Sequence, residues 1–234
     1  MTKIISDTNN PQNKDKVIEK LKEKIDKSTE NKEPLYCMGY YLPDLKIKQE
    51  FKQPVYFRNC KFQQAIFVGA TFSDIADFSK ATFSREAAFF GATFSAVATF
   101  FGSTSKDEAY FNTTFSNVAY FSEATFSDKS YFAGFFRDIT FFNYVMFEKP
   151  HKIIFKVEDM SRVSFINTDI TGVRFDDKVS WGSDPPKWIG SKKSCFKIIE
   201  EKWLEENSDK SLGKKSDDPI EKIKTYYWRC FIWV

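Results

Sequence analysis

The chain contains one histidine, His151, and that scarcity removes most chemistry built on imidazole. A metal centre or an acyl-transfer triad resting on a lone His after Pro150 has little support. The phosphate-binding and metalloprotease signatures GxGxxG, GxxxxGK[ST] and HExxH are absent as well. The four cysteines (Cys37, Cys60, Cys195 and Cys230) form no CxxC pair, which argues against a zinc site and against a dense disulfide framework. Reduced thiols in a cytoplasmic protein are the expectation. Glycine (9) and proline (8) are too few for a flexible linker or a collagen-like chain. No stretch approaches the ~20 apolar residues of a membrane span, and the N-terminus lacks the apolar core of a secretion signal.

Charge of one sign is lacking too. The whole chain carries 35 Lys/Arg against 32 Asp/Glu, and residues 55–181 carry 13 against 14. That balance announces neither a nucleic-acid partner nor an acidic one. The adjacent acids Asp176-Asp177 and Asp217-Asp218 would point to opposite faces of a strand, which makes them poor acid/base pairs. No catalytic residue, cofactor site or metal site is assigned.

What the chain has in excess is phenylalanine. Of 27 Phe, 24 lie between Phe57 and Phe175. From Phe62 the aromatics fall at 62, 67, 72, 78, 83, 89, 94 and 100, then, after Ser105, at 111, 115, 121, 126, 132, 136, 141 and 147. Two residues before most of them sits alanine, as in Ala65, Ala76, Ala87, Ala98, Ala109 and Ala119. The unit is Ala-x-Phe-x-x, alternating with a six-residue form. A helix cannot hold residues at steps of five and six on one face, and the turn pairs of a meander are missing. A solenoid can: each unit makes one side, Ala and Phe point inward, and four sides close a coil of about 22 residues. A two-sided coil of 11 residues is the competing geometry. It would have to fit two Phe into a flat sandwich, which close packing forbids.

Here the run from Ala65 to Phe83 (AIFVGATFSDIADFSKATF) resembles the Phe-centred branch of the pentapeptide-repeat family. The resemblance covers residues 55–181 and implies an all-β fold, a right-handed quadrilateral β-helix. Residues 34–54 resemble the lead-in that covers the first coil. Three departures stand out. Ser105 occupies a Phe slot in a stretch that reads as a corner loop, Glu148–His151 is an insertion, and Glu158 falls in an inward slot.

Outside the repeats, residues 1–33 contain a short amphipathic helix with Val17, Ile18, Leu21 and Ile25 on one face. Residues 182–234 form a linker followed by a helical, apolar extension that carries Phe196, Ile199 and Trp203 and ends in an aromatic run at 226–234. That run either packs on the rod or leads toward a membrane, where Trp and Tyr favour the interface.

The outward positions supply the candidate surface. Tyr110 and Tyr131, one coil apart, should share a side; Tyr120 and Phe142 should share the opposite one, and Phe135 also lies in an outward slot. Threonines at 71, 82, 93 and 104 should stack in short ladders that good strand propensity explains by itself. The expected role is a non-enzymatic protein-interaction or scaffold module, cytoplasmic and compatible with membrane association through its C-terminal segment. A protein partner, a second copy included, is expected rather than nucleic acid. The alternative implied by the resemblance is a DNA-mimicking topoisomerase-protection protein. The near-neutral repeat region disfavours it, because a mimic needs about one negative charge per 1.7 Å of axis.

Overall fold

The structure, a computed structural model, describes residues 11–176 and 178. The sequence expectations for residues 182–234 therefore lie outside the described residues, as do Cys195, Cys230 and the acids at 217–218.

The repeat folds into a parallel β-solenoid of about seven turns. Leu35 pairs with Val55, Val55 with Ala76, Ala76 with Ala98, Ala98 with Ala119, Ala119 with Thr140 and Thr140 with Val163. Each coil is thus 20 to 23 residues long, which excludes the 11-residue coil. We number the coils one to seven from these starts. Each regular coil has four sides, each a short strand stacked in parallel on its counterparts. In the third coil they are Ala76–Asp77, Thr82–Phe83, Ala87–Ala88 and Thr93–Phe94. The coils begin earlier than position 55. Residues 35–51 are not a separate lead-in but the first coil, with Leu35, Leu42, Leu45 and Phe51 in the slots that Ala and Phe take later.

Four columns of side chains fill the interior. On the first side, Phe57, Phe78, Phe100, Phe121 and Phe142 stack at 4.7–5.3 Å with nearly parallel rings. On the third side, Phe67, Phe89, Phe111, Phe132 and Phe155 do the same at 4.7–5.3 Å. Neighbouring columns meet edge to face, as Phe78 and Phe89 do at 5.6 Å. Both arrangements are favoured by the ring quadrupole. Each buried ring contributes roughly 1.5–3 kcal/mol of transfer free energy, so the columns hold the rod together.

The corner between the first and second sides is a tight turn in which the third residue takes a left-handed backbone. Gly39, Asn59, Lys80, Gly102 and Glu123 all have φ of 55–72° there. The turn closes by a carbonyl bond from the inward residue, as in Cys60 N–H to the Phe57 carbonyl at 3.2 Å. Gly and Asn adopt this conformation without cost; Lys80 and Glu123 do so against a penalty of about 1–2 kcal/mol.

Pro11–Asn31 is the helix α1. Its Leu21 and Ile25 are buried in the same core as the first coil, with Val17 and Ile18 packed beside them. Helix and rod are also joined by Lys24, whose Nζ donates to the Tyr40 hydroxyl at 2.9 Å and lies 4.9 Å from the ring centroid. A solenoid needs its terminal coil covered, and α1 supplies that cover at one end. The helix stops at Lys32, which turns left-handed at φ 56°, and Pro34 follows two residues later.

Three expectations are corrected. Ser105 is no corner loop: Thr104–Ser105 is a strand, in register with Phe83 before it and Phe126 after it. Glu158 is exposed, because Val157 ends the strand Ile153–Val157 in the buried slot. In the sixth coil Phe142, not Phe141, joins the inner column. The insertion at 148–151 is a break as expected, forming the short 3₁₀ turn Pro150–Lys152.

Candidate interaction surface

The outward side chains follow from the strand register. Residues between the inward Ala and Phe point away from the core, and the column they form on each side is fixed by the pairing. On the first side this column reads Tyr36, Tyr56, Asp77, Thr99, Tyr120, Phe141 and Ser164. On the third it reads Lys46, Ile66, Ala88, Tyr110, Tyr131, Ile154 and Arg174.

Of the five aromatics expected on the surface, the structure brings two together. Tyr110 and Tyr131 are register partners on the third side, and the Tyr110 ring stacks on Phe90 at 5.1 Å. Tyr120 stands on the first side, across the rod. Phe135 lies on the fourth side, opposite Thr114, with the Arg137 guanidinium 5.2 Å from its ring centroid. Phe142 is not on the surface. It is fully buried and stacks on Phe121 at 4.7 Å. The outward residue is Phe141, whose ring stacks on Tyr120 at 5.3 Å. The aromatic series at 136, 141 and 147 assigns the wrong Phe of the pair because both neighbours are Phe. The spacing from Phe121 to Phe142, the same 21 residues that separate Ala119 from Thr140, is the signal that would have decided it.

Tyr110 is held in place. Its hydroxyl donates to Glu108 Oε2 and accepts from Lys129 Nζ at 3.3 Å. Partial burial and then the Glu108 carboxylate push its phenol above the usual range. Nearby, Asp128 accepts from Lys149 Nζ at 2.5 Å and Lys152 Nζ at 2.7 Å. These ammonium groups, Lys149 foremost, hold its carboxyl well below the usual carboxylate range. On the first side, Asp77 sits in an outward slot yet is buried, paired with Arg58 and accepting the Ser79 N–H at 2.9 Å. The Arg58 guanidinium also lies 5.5 Å from the centroid of Tyr56, which stacks on Tyr36 at 5.0 Å.

Besides Phe135 on the fourth side, the exposed apolar side chains of the later coils are Tyr120 on the first side, Tyr144 and Ile166 at its corner, and Met146, the register partner of Thr125, on the second. Tyr120 is 38% exposed, Tyr144 59%, Met146 58% and Ile166 38%. Tyr144 and Ile166 are adjacent across coils, the Tyr144 N–H donating to the Ile166 carbonyl at 2.8 Å. Tyr144 occupies the left-handed corner position at φ 58°. A bulky residue there is an outlier. Sequence reading missed Phe141, Tyr144, Met146 and Ile166, because the insertion after Phe147 and the doubled Phe obscured the register on which outwardness depends.

Among the described residues no group of three or more His, Cys, Asp or Glu could hold a metal ion. Cys37 and Cys60 are buried and unlinked, and the Cys60 Sγ–H donates to the Cys37 carbonyl at 2.7 Å. Burial raises both thiols to about 12.

Residues 50–93 match the family model described as pentapeptide repeats, in nine copies. This segment is built of pentapeptide repeats. The match spans the end of the first coil and most of the next two, and the same coil geometry carries the pentapeptide-repeat solenoid on to Phe175. No curated protein and no solved structure matches the chain.

Proposed function

We propose that this solenoid is a non-enzymatic protein-interaction module that works in the cytoplasm and binds a protein partner through the surface around Tyr120 and Phe141. The observation that carries the reading is the stacked Tyr120–Phe141 pair on the first side, followed at its corner by the exposed Tyr144 and Ile166, with the exposed Met146 on the next side. Contiguous exposed apolar groups of this kind are what partners bury, and Tyr and Met are enriched where they do. The left-handed backbone at Tyr144 adds support, since such strain persists where surrounding structure enforces it and clusters at functional sites. The two buried, unlinked thiols agree with a reducing compartment.

A photo-crosslinker at Met146 in native extract tests the reading. The adducts should disappear in a Tyr120→Ser, Tyr144→Ser double variant whose unfolding midpoint is unchanged. Adducts that persist in that variant, or a reproducible turnover that tracks a point substitution, would overturn it. The same module is proposed to associate with membranes through residues 226–234, on the strength of Tyr226, Tyr227, Trp228 and Trp233. Vesicle co-sedimentation of the chain with and without residues 220–234 checks this, and equal binding by both forms would sink it.

A further inference from the structure

We propose that Ser105 opens a ring-sized internal binding site in the rod, suited to a monocyclic aromatic molecule such as benzene. The inner column of the second side reads Phe62, Phe83, Ser105, Phe126 and Phe147 in continuous register. Phe62 and Phe83 stack at 5.0 Å, and Phe126 and Phe147 at 5.8 Å. Phe83 and Phe126 stand two coil steps apart, roughly 9.6 Å at ~4.8 Å per step. A ring placed midway would stack on each at the spacing that the other columns show. In its place is one hydroxymethyl group, whose Oγ reaches back to the Asp107 carbonyl at 3.4 Å.

The Phe126 ring leans from Phe147, at 29°, and meets Phe111 edge-on at 6.3 Å, but the two flanking columns have not moved to fill the gap. In the same coil, Phe100 remains stacked between Phe78 and Phe121 at 5.0 and 4.9 Å, within 3° of parallel. Phe111 stays between Phe89 and Phe132 at 5.1 and 5.3 Å, within 8°. A second observation points to the same place. Among the inner-column phenylalanines from Phe57 to Phe132, only Phe83, Phe111 and Phe126 retain any accessible surface, 2% each, while the rest have none. Phe83 and Phe126 are the register partners of Ser105 in the adjacent coils, and Phe111 heads the next side of its own coil. The slot before it also changes character, from Ala81 and Ala124 in the adjacent coils to Ser103.

The walls are therefore ring faces above and below, the Phe111 ring on one flank and two hydroxyls at the rim. A planar apolar ligand would regain the dispersion contacts that a void forfeits, and cavities walled by apolar side chains stay dry and take up benzene or xenon. The rim hydroxyls leave room for one polar substituent on the ring.

The test is thermal unfolding of the full chain against benzene concentration, in the natural sequence, in Ser105→Ala and in Ser105→Phe. The natural chain and Ser105→Ala should show a saturable rise in midpoint, about 3–5 °C at ten times Kd. Ser105→Phe should unfold at a higher midpoint and lose the benzene response. An absent response in the natural chain, or an equal one in Ser105→Phe, overturns the proposal. Should Ser105→Phe fail to fold, xenon NMR on the natural chain and on Phe83→Ala decides. A bound-xenon signal that grows in Phe83→Ala supports the site, and no bound signal in either rejects it.

Discussion

The second and third coils differ from the fourth and fifth by one residue at one corner, and much of the molecule's character follows from it. In the earlier pair, Phe67 to Phe72 and Phe89 to Phe94 are five residues apart, and a turn at Gly69 or Gly91 separates the third side from the fourth. In the later pair, Phe111 to Phe115 and Phe132 to Phe136 are four apart, and each corner straightens into a seven-residue strand, Ala109–Phe115 and Ser130–Phe136. Losing the turn residue moves Thr113 inward, where its hydroxyl is buried with no hydrogen-bond partner. It also brings the two backbones so close that a Cβ on Gly134 would lie 2.1 Å from the Thr113 carbonyl oxygen. The surface changes along with the corner. On the third side Ile66 and Ala88 give way to Tyr110 and Tyr131, and on the fourth the column of Thr71, Thr93 and Thr114 gives way to Phe135, while Thr82, Thr104 and Thr125 continue unchanged on the second. The regular coils are built for stacking, and the later ones present side chains.

The strongest break in this comparison comes from the doubled Phe of the sixth coil. Phe142→Ala should lower stability by about 3–5 kcal/mol, the usual cost of emptying a buried aromatic site, whereas Phe141→Ala should cost under about 1 kcal/mol. Chemical denaturation of the two variants reads the difference directly; equal losses would reject the inward assignment of Phe142.

The next effect separates two glycines at equivalent corners. Gly134→Ala meets backbone at a φ of 93° and should cost about 3 kcal/mol or more from combined overpacking and strain. Gly91→Ala meets open space at a φ of 63° and should lose only about 1–2 kcal/mol, the cost of a left-handed Cβ. Unfolding midpoints that fall equally in both would show that the straightened corner is not where the chain is tightest.

Alkaline titration probes the first coils. Burial raises the Cys37 and Cys60 thiols from the usual 9.0 to about 12 in the folded chain. Between those values the unfolded chain loses protons that the folded chain keeps. The thiols' contribution is therefore complete below pH 9 and is lost as pH rises toward 12, by up to about 1.4 kcal/mol per pH unit for each thiol. A Cys37→Ala, Cys60→Ala variant should show a shallower fall in stability over that window, and Cys37 and Cys60 of the folded natural chain should resist alkylation at pH 8.5, read site by site by peptide mass mapping. Rapid labelling of Cys37 or Cys60 under native conditions would contradict the burial.

The smallest effect carries a gain. Thr113→Val keeps the shape and removes the orphaned hydroxyl, so it should raise stability by about 1 kcal/mol. A loss of that size would mean that the hydroxyl has a partner, such as a buried water, that the straightened corner was selected to hold.

The sequence by itself determined the architecture. Steps of five and six with Ala two places before each Phe admit a four-sided coil and little else, because inward and outward positions repeat locally and each Phe needs a column to enter. Hence the spacing alone places Tyr110 and Tyr131 on one side and Tyr120 across from them. The same locality placed Leu21 and Ile25 on the apolar face of a helix. Tertiary structure decided what depends on neighbours in other coils. Whether Phe141 or Phe142 enters the core is settled by the ring of Phe121 one coil away, since either residue satisfies a local repeat. Leu35, Leu42 and Leu45 carry no Ala-x-Phe signature, and only their pairing with Val55, Phe62 and Ala65 makes them a first coil. Ser105 reads as a loop residue by composition. It is a strand residue because the ladder on both sides supplies its hydrogen bonds, from Lys106 N–H to the Phe83 carbonyl before it and from Ser127 N–H to the Ser105 carbonyl after it. Repetition fixes what each unit does alone, while register, a long-range property, selects which residue meets solvent.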